Sequence, residues 1–175
     1  MKDSQLLQVV GYSQSGKTVL IARLIEKLSE RNVSILSLKS ARQHEYAFSD
    51  KDSDVFSQKG SVISVVAFKN TTQIFLEKEK EIMDIIDNLA DSFKIDLVLI
   101  EGFKEENFPK IIIWTNDIVE ELDSFNFEGI KYLLCSHENL SKHKIIIKKI
   151  YERYNFQIIE EKEVLINKII QDYDF

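Results

Sequence analysis

An octapeptide near the amino terminus has the residue types and the spacing of a phosphate-binding loop. It runs from Gly11 to Thr18, reads Gly-Tyr-Ser-Gln-Ser-Gly-Lys-Thr, and matches the pattern G-x-x-x-x-G-K-[ST]. Glycine permits the tight turn and the close approach of backbone to phosphate. Loop amides at a helix amino terminus form a nest for anions. We therefore expect Lys17 to reach the β- and γ-phosphates of a nucleotide, and the Thr18 hydroxyl to bind Mg²⁺.

Other residues in and near this loop complete the predicted nucleotide site. The small side chains of Ser13 and Ser15 leave their backbone amides free to face phosphate. Lys39 follows a predicted strand and should end on the same side of the sheet as the loop. The predicted nucleotide-binding set is Gly11, Ser13, Gln14, Ser15, Gly16, Lys17, Thr18, Val19 and Lys39.

Glu101 is the second group that could carry chemistry. It follows Leu97-Val98-Leu99-Ile100, a continuous apolar run typical of a strand buried on both faces of a parallel sheet. Ligands of open α/β sheets bind beyond the carboxyl ends of the strands. A carboxylate there can hold Mg²⁺, directly or through water, or orient an attacking water. We assign Glu101 to the metal site and, with Lys17, to catalysis.

A long polar segment, residues 40–59, follows the second predicted strand and offers a further carboxylate. Long loops in compact domains are either functional or plain surface excursions. We choose Asp52 as a third metal ligand beside Thr18 and Glu101. Spacing alone does not separate it from Asp50 and Asp54.

Hydrophobic periodicity supplies the elements that must position these groups. Strand, glycine turn, helix and strand succeed one another within about 33 residues, the pattern of a βαβ unit. The chain predicts an α/β three-layer sandwich with a mostly parallel sheet, of the P-loop nucleoside triphosphatase type, and a single domain over residues 1–175. The predicted strands are 6–10, 33–38, 62–68, 73–76, 97–100, 111–114 and 131–135; the predicted helices are 17–31, 79–93, 140–154 and 164–173.

Composition excludes several classes of function. The net charge of −6 lacks the basic excess of a nucleic-acid binder. No apolar run approaches the length of a membrane span, and no signal peptide is visible, so we expect a cytoplasmic protein. The one cysteine, Cys135, permits neither an internal disulfide nor a cysteine metal cluster, and we expect a buried thiol.

The histidines and the base-reading motifs are uninformative in the sequence. His44, His137 and His143 lack the spacing of metal ligands, and we expect the last two at the surface. The guanine-reading motif N-K-x-D is absent, so the residues do not reveal which base is bound.

Taken together, three segments resemble one known family. They are Val10 to Ile21, the run Val-Leu-Ile-Glu-Gly-Phe-Lys ending at Lys104 with Pro109-Lys110-Ile111 after it, and Lys51-Asp52-Ser53 with Gly60 later. This set resembles the molybdopterin-guanine dinucleotide biosynthesis adaptor (MobB) family, and the resemblance covers about residues 6–135.

The resemblance implies a GTP-binding P-loop protein, usually a homodimer, with weak GTPase activity. Such proteins assist the molybdenum cofactor guanylyltransferase that attaches GMP to molybdopterin. Gly16, Lys17 and Thr18 match phosphate and Mg²⁺ contacts, and Asp52 and Glu101 match acidic groups on the metal side. The family's histidine-rich stretch after the second strand is replaced here by Lys-Ser-Ala-Arg-Gln-His, and Val19 replaces a common threonine.

Two other functions stay open from the sequence. The scaffold also suits a small-molecule kinase or an ATP-dependent ligase, with the acceptor bound by the 40–59 loop. The third alternative is an interaction module whose phosphate loop no longer binds nucleotide. No arginine finger and no water-orienting glutamine is evident, with Arg42 the nearest basic candidate, and this favours slow hydrolysis in an accessory protein.

Overall fold

The structure, a computed structural model, describes residues 5–41, 55–56, 58–76, 81–120, 122 and 125–175. Asp50, Asp52, Asp54, His44 and Arg42 lie outside the described residues. The described chain forms two compact units: one ends at Ser40 and resumes at Asp87, and the other is Ala41–Ile86. The expectation of one domain over the whole chain stays a prediction.

The first unit is built on a six-stranded sheet in which every neighbouring pair of strands is parallel. Its strands lie in the order β2-β5-β1-β6-β7-β8. In chain order, the strands of the described residues are β1 (Gln5–Val10), β2 (Ile35–Lys39), β3 (Ile63–Ala67), β4 (Thr72–Leu76), β5 (Leu97–Glu101), β6 (Lys110–Ile113), β7 (Ile130–Leu134) and β8 (Gln157–Ile159).

Helices cover both faces of this sheet. One apolar cluster joins Leu7 and Leu99 of the strands to Leu24 and Ile166 of two helices, and a second joins Ile112 to other helices on the opposite face. The predicted α/β architecture with a mostly parallel sheet is therefore confirmed. The helices are α1 (Lys17–Ser29), α2 (Ile82–Phe93), α3 (Asn116–Glu120), α4 (His137–Lys142), α5 (Lys144–Tyr154) and α6 (Lys162–Asp172).

The second unit contains a hairpin of β3 and β4. The two strands are antiparallel, and Ile63 pairs with Leu76 while Val65 pairs with Ile74. The strand and the hairpin partner predicted from the sequence are both present, with bounds shifted by a residue.

The carboxyl-terminal third differs most from the sequence-based expectation. The predicted helix 140–154 is two helices, because His143 leaves helical geometry at φ −110° and ψ 20°. The expectation of a surface His143 is wrong: the ring is buried, and its Nδ1 accepts a hydrogen bond from Trp114 Nε1 at 3.1 Å. The short strand β8 was not predicted, because three residues carry too little periodicity. The buried Cys135 thiol is confirmed.

No helix within the described ranges is both long enough and apolar enough to cross a membrane.

Candidate functional site

The loop from Gly11 to Gly16 connects the end of β1 to the start of α1. Gly16 adopts φ +93°, a left-handed conformation that favours glycine. A Cβ on Gly11 would lie 2.8 Å from Ser15 Oγ and 3.1 Å from the Ile113 carbonyl oxygen, so the loop closes too tightly for a side chain there. The local structure therefore favours glycine at both positions of the motif.

Lys17 folds back over this loop. Its Nζ donates hydrogen bonds to the carbonyl oxygens of Gly11, at 3.0 Å, and Tyr12, at 2.5 Å. Burial lowers the pKa of Lys17; nearby Glu101 opposes this shift, while Lys104 and Lys39 add to it. The ammonium group thus lies inside a cluster of positive charge, an environment that an anion would stabilise.

Thr18, Glu101 and Lys39 meet at one point. Thr18 Oγ1 donates to Glu101 Oε2 at 2.8 Å, and Lys39 Nζ lies 3.0 Å from Glu101 Oε1 and 3.5 Å from Thr18 Oγ1. The hydroxyl and the carboxylate come from positions 83 residues apart. A cationic group already contacts both side chains, whose oxygens are of the kind that Mg²⁺ prefers.

Parallel pairing explains why these three side chains meet. β5 lies between β1 and β2, and Glu101 is in register with Val9 on one side and with Lys39 on the other. Parallel strands end at the same edge, so their terminal side chains and the loop after β1 share that edge. The predicted position of Glu101, at the carboxyl end of its strand beside the loop, is confirmed.

Gln8 is a positioning residue that the sequence reasoning missed. It is fully buried in β1, and its Nε2 donates to the carbonyl oxygens of Gly102 and Phe103, each at 2.6 Å. Gly102 and Phe103 both have positive φ, at 89° and 54°. Gln8 therefore holds the turn that follows Glu101. The signal in the sequence was a polar residue inside the apolar run of β1.

Two lysines, Lys104 and Lys110, belong to the segments on which the family resemblance rests, and each has defined surroundings. Lys104 Nζ lies 4.7 Å from the centre of the Tyr12 ring, over the phosphate loop. Lys110 is fully buried, its Nζ donates to the Glu106 carbonyl oxygen at 2.7 Å, and burial lowers its pKa. Lys104 thus adds charge near the loop, whereas Lys110 ties the segment before β6 in place.

A cavity of about 400 Å³ opens at this edge of the sheet. Of the predicted nucleotide-binding residues, Gly11 and Ser15 do not line it, since they pack against each other. Ser15 Oγ is buried and finds no hydrogen-bond partner among the described residues. The lining residues are Ser13, Gln14, Gly16, Lys17, Thr18, Val19, Lys39 and Glu101.

A second cavity, of about 410 Å³, lies along α5 and lacks such convergent chemistry. It is mostly apolar and is lined by Leu140, Ser141, Lys144, Ile147, Lys148, Tyr151 and Ile158. Within the described part of the chain, no three His, Cys, Asp or Glu side chains gather as a metal site. The edge at Lys17 and Glu101 is therefore the stronger candidate site.

Three features of this edge are typical of one class of nucleotide-binding protein. They are a left-handed glycine before the helix, a lysine over the loop, and a threonine facing a carboxylate at the end of a strand. On a parallel sheet with helices on both faces, they make this chain a protein of the P-loop type.

Comparisons with known proteins narrow that class. The model of the family described as MobB, "Molybdopterin guanine dinucleotide synthesis protein B", matches residues 6–130. The chain is 29% identical over 143 residues to a probable molybdopterin-guanine dinucleotide biosynthesis adapter protein of Bacillus subtilis, covering 79% of this chain and 81% of that protein. It is 33% identical over 119 residues to the adapter protein of Haemophilus influenzae, covering 67% of each.

A solved structure shares the whole fold. The crystal structure of Bacillus subtilis MobB superimposes with a TM-score of 0.74 over 95% of this chain and 96% of that one, at 22% identity. The chain belongs to the MobB family. The predicted role as an adapter protein in molybdopterin guanine dinucleotide biosynthesis is thereby confirmed at the level of the family.

Proposed function

We propose that this chain binds GTP with Mg²⁺ at the edge formed by the Gly11–Gly16 loop and Glu101. The observation that carries the proposal is the contact of Thr18 and Lys39 with Glu101 beside the phosphate loop, whose last residue, Gly16, has a left-handed conformation. Two oxygens at hydrogen-bonding distance suit adjacent positions around a small ion with octahedral preference. The clustered lysines Lys17, Lys39 and Lys104 supply further positive charge for a phosphate.

Each residue has a separate part in this proposal. Backbone amides of the loop hold the phosphate chain, and Lys17 moves its Nζ from the loop carbonyls to the β- and γ-phosphates. Thr18 and Glu101 hold Mg²⁺. Asp52, the third ligand predicted from the sequence, stays a prediction because it lies outside the described residues. The ion neutralises phosphate charge when it is bound. Lys39 then gives up its contacts with Glu101 and Thr18.

The site favours binding over rapid turnover. Hydrolysis needs a group that stabilises the charge of the transferring phosphoryl, often an arginine. Near the start of α1 the described chain offers Arg23, whose side chain is engaged with Glu26 and Glu163. We therefore propose an accessory protein with weak GTPase activity. It works in the cytoplasm beside the guanylyltransferase that joins GMP to molybdopterin. Molybdopterin is itself a candidate ligand of this chain.

The hairpin of β3 and β4 supports a homodimer. Ile63, Val65, Ile74 and Leu76 share one face and are 50–59% exposed, whereas Ser64 on the other face is 4% exposed. A two-stranded sheet is marginal unless something covers an apolar face. Neither strand carries a charged residue. An uncharged apolar surface complements itself, so we propose a second copy of this chain as the covering partner.

The proposed nucleotide site is tested by thermal unfolding with GTP, ATP or neither, each with and without Mg²⁺. We expect GTP with Mg²⁺ to stabilise the protein, by about 2.7 kcal/mol at a hundredfold excess over Kd. Lys17→Ala should abolish the shift, while Lys149→Ala, an exposed lysine on α5, should keep it. Glu101→Gln should bind but lose much of its Mg²⁺ dependence.

The outcomes separate the three functions. If no nucleotide stabilises the wild-type protein, only the interaction module remains. If Lys17→Ala is stabilised by GTP as the wild type is, the phosphate cradle, meaning the Gly11–Gly16 loop with Lys17, is refuted. Transfer of the γ-phosphate to an added acceptor, in place of slow hydrolysis, would favour the kinase or ligase.

The dimer is tested by sedimentation velocity at two protein concentrations. We expect the wild-type chain to sediment as a dimer and Val65→Lys as a monomer, since a buried ammonium without a partner opposes association. Ile145→Lys, at an apolar position of α5 that is 75% exposed, is the matched control and should stay dimeric. A monomeric wild-type chain, or a dimeric Val65→Lys variant, contradicts the proposed interface.

A further inference from the structure

The carboxyl ends of β7 and β8 carry polar side chains that the phosphate cradle does not use. The two strands pair in register up to Leu134 and Ile159, and the Cys135 amide donates to the Ile159 carbonyl at 3.0 Å. His137, the first residue of α4 after β7, and Glu160, directly after β8, therefore emerge side by side. Their edge is the one on which the Gly11–Gly16 loop lies: along the sheet, β7 is two strands and β8 three strands from β1.

A single side-chain contact places Glu160 beside His137 at the start of α4. Its Oε2 lies 3.0 Å from Nδ1 of His137. Burial raises the pKa of the Cys135 thiol to about 11, and the negative charge of Glu160 adds to the rise. Both members of the His137–Glu160 pair are solvent-exposed, and such pairs contribute little to stability. The fold alone does not require this arrangement.

The segment after β8 also reaches the cradle directly. Lys162 Nζ lies 3.4 Å from the position that a Cβ would take on Gly16. One residue further, Glu163 accepts a hydrogen bond from Arg23 Nε of α1 at 3.0 Å. The start of α6, which begins two residues after Glu160, is therefore held beside the loop and α1, where the phosphates of a bound nucleotide would lie.

A nucleotide held by its phosphates at this edge reaches Glu160 when its ribose and base extend along the edge past β6 and β7. Guanine presents two adjacent donors, N1–H and the N2 amine, whereas adenine presents an acceptor at N1. A carboxylate has only acceptors, with two lone pairs on each oxygen. Glu160 can therefore take both guanine donors while keeping His137, but it meets adenine with an unfavourable acceptor pair.

We propose that Glu160, positioned by His137, reads the guanine base of the bound nucleotide in place of the absent N-K-x-D motif. The proposal rests on the nucleotide binding proposed above and adds the group that selects the base. It places base selection beyond residue 130, where the match to the family model ends. The cradle itself, made mostly of backbone amides and Lys17, does not distinguish one nucleoside triphosphate from another.

The test compares the affinities of GTP, ATP and XTP for the full-length wild-type chain and for two variants, with Mg²⁺ present throughout. Xanthine carries a carbonyl oxygen where guanine has its amine, so the amide of glutamine can donate to it. We expect Glu160→Gln to weaken GTP binding roughly 10- to 100-fold, to strengthen XTP binding relative to GTP, and to leave ATP nearly unchanged. Glu161→Gln, one residue away, is the matched control and should keep the wild-type order.

His137→Ala provides a second readout. A positioning residue should reduce the ratio of GTP to ATP affinity by less than Glu160→Gln does, and it should not produce XTP binding. The melting temperatures of the variants without nucleotide should equal that of the wild type, since both side chains are exposed.

The possible failures are distinct. If no triphosphate binds the wild-type chain, the cradle is refuted and base reading with it. If GTP and ATP bind equally, or if Glu160→Gln keeps the wild-type order, the cradle stands and Glu160 does not read the base. A switch to XTP in Glu161→Gln alone would overturn the choice of residue.

Discussion

The carboxyl edge of the six-stranded sheet and the β3–β4 hairpin place polar and apolar side chains in opposite ways. Along β5 every residue from Leu97 to Ile100 is buried, and charge emerges only at Glu101, where the strand ends. In the hairpin, Ile63 and Ile74 are exposed while Ser64 is buried. Both regions are strands of similar length, and they differ in what covers them.

This difference indicates two kinds of function. A buried strand holds its terminal side chains rigidly, so Glu101 can face Thr18 without reorganisation when a ligand arrives. An exposed apolar hairpin has surface to bury and little charge to orient a small ligand. The first region is suited to binding a phosphate compound, and the second to contacting another protein chain.

The largest expected contrast comes from shortening an aliphatic side chain in each region. Leu99→Ala removes a fully buried side chain of β5 and should lower the free energy of unfolding by about 2–5 kcal/mol. Ile74→Ala in the hairpin should change it by less than about 0.5 kcal/mol at concentrations where the chain is monomeric. Urea unfolding of both variants measures the contrast, and an equal loss in the two would contradict it.

A glycine pair separates backbone strain from steric overlap. Gly102, with φ +89°, would bring a Cβ within 2.9 Å of Ser40 Cβ, whereas Gly60, with φ +100°, has nothing within 4 Å. Gly102→Ala should therefore cost about 2–4 kcal/mol, from left-handed strain and overpacking together. Gly60→Ala carries strain alone, about 1–2 kcal/mol. If calorimetry shows that the two variants lose equal stability, the structure around Ser40 accommodates the added methyl group without cost.

Of the three positions paired with an exposed counterpart, Gln8 has the smallest expected loss of stability on substitution, and it is the one closest to function. Gln8→Leu removes the donor to the Gly102 and Phe103 carbonyls, and an unpaired buried carbonyl should cost about 1–3 kcal/mol. It should also reduce the Mg²⁺ dependence of nucleotide binding, because the turn after Glu101 loses its support. Gln73→Leu, at an exposed position of strand β4, should change stability by less than about 0.5 kcal/mol. If Gln8→Leu binds nucleotide with the Mg²⁺ dependence of the wild type, Gln8 does not position Glu101.

Much of the fold could be predicted because its signals are local. The glycine turn between an apolar strand and an amphipathic helix lies within 25 residues, and the apolar run of β5 ends visibly at Glu101. His143 and β8 were missed for the opposite reason. The burial of His143 depends on the distant Trp114, and β8 is a strand mainly because β7 pairs with it.

The sequence by itself determined the chemistry available: a phosphate loop with its lysine and threonine, and a carboxylate at the end of a buried strand. Residue type and spacing along the chain are sufficient for that, since hydrogen-bonding groups and helix or strand periods are properties of short segments. Only the tertiary structure decided which groups meet, because the order of parallel strands brings Thr18, Lys39 and Glu101 to one point. The pairing of β7 with β8 sets Glu160 beside His137 on the edge that carries the loop, with β8 three strands away from β1. It so supplies a candidate for the base-reading group that no local motif revealed.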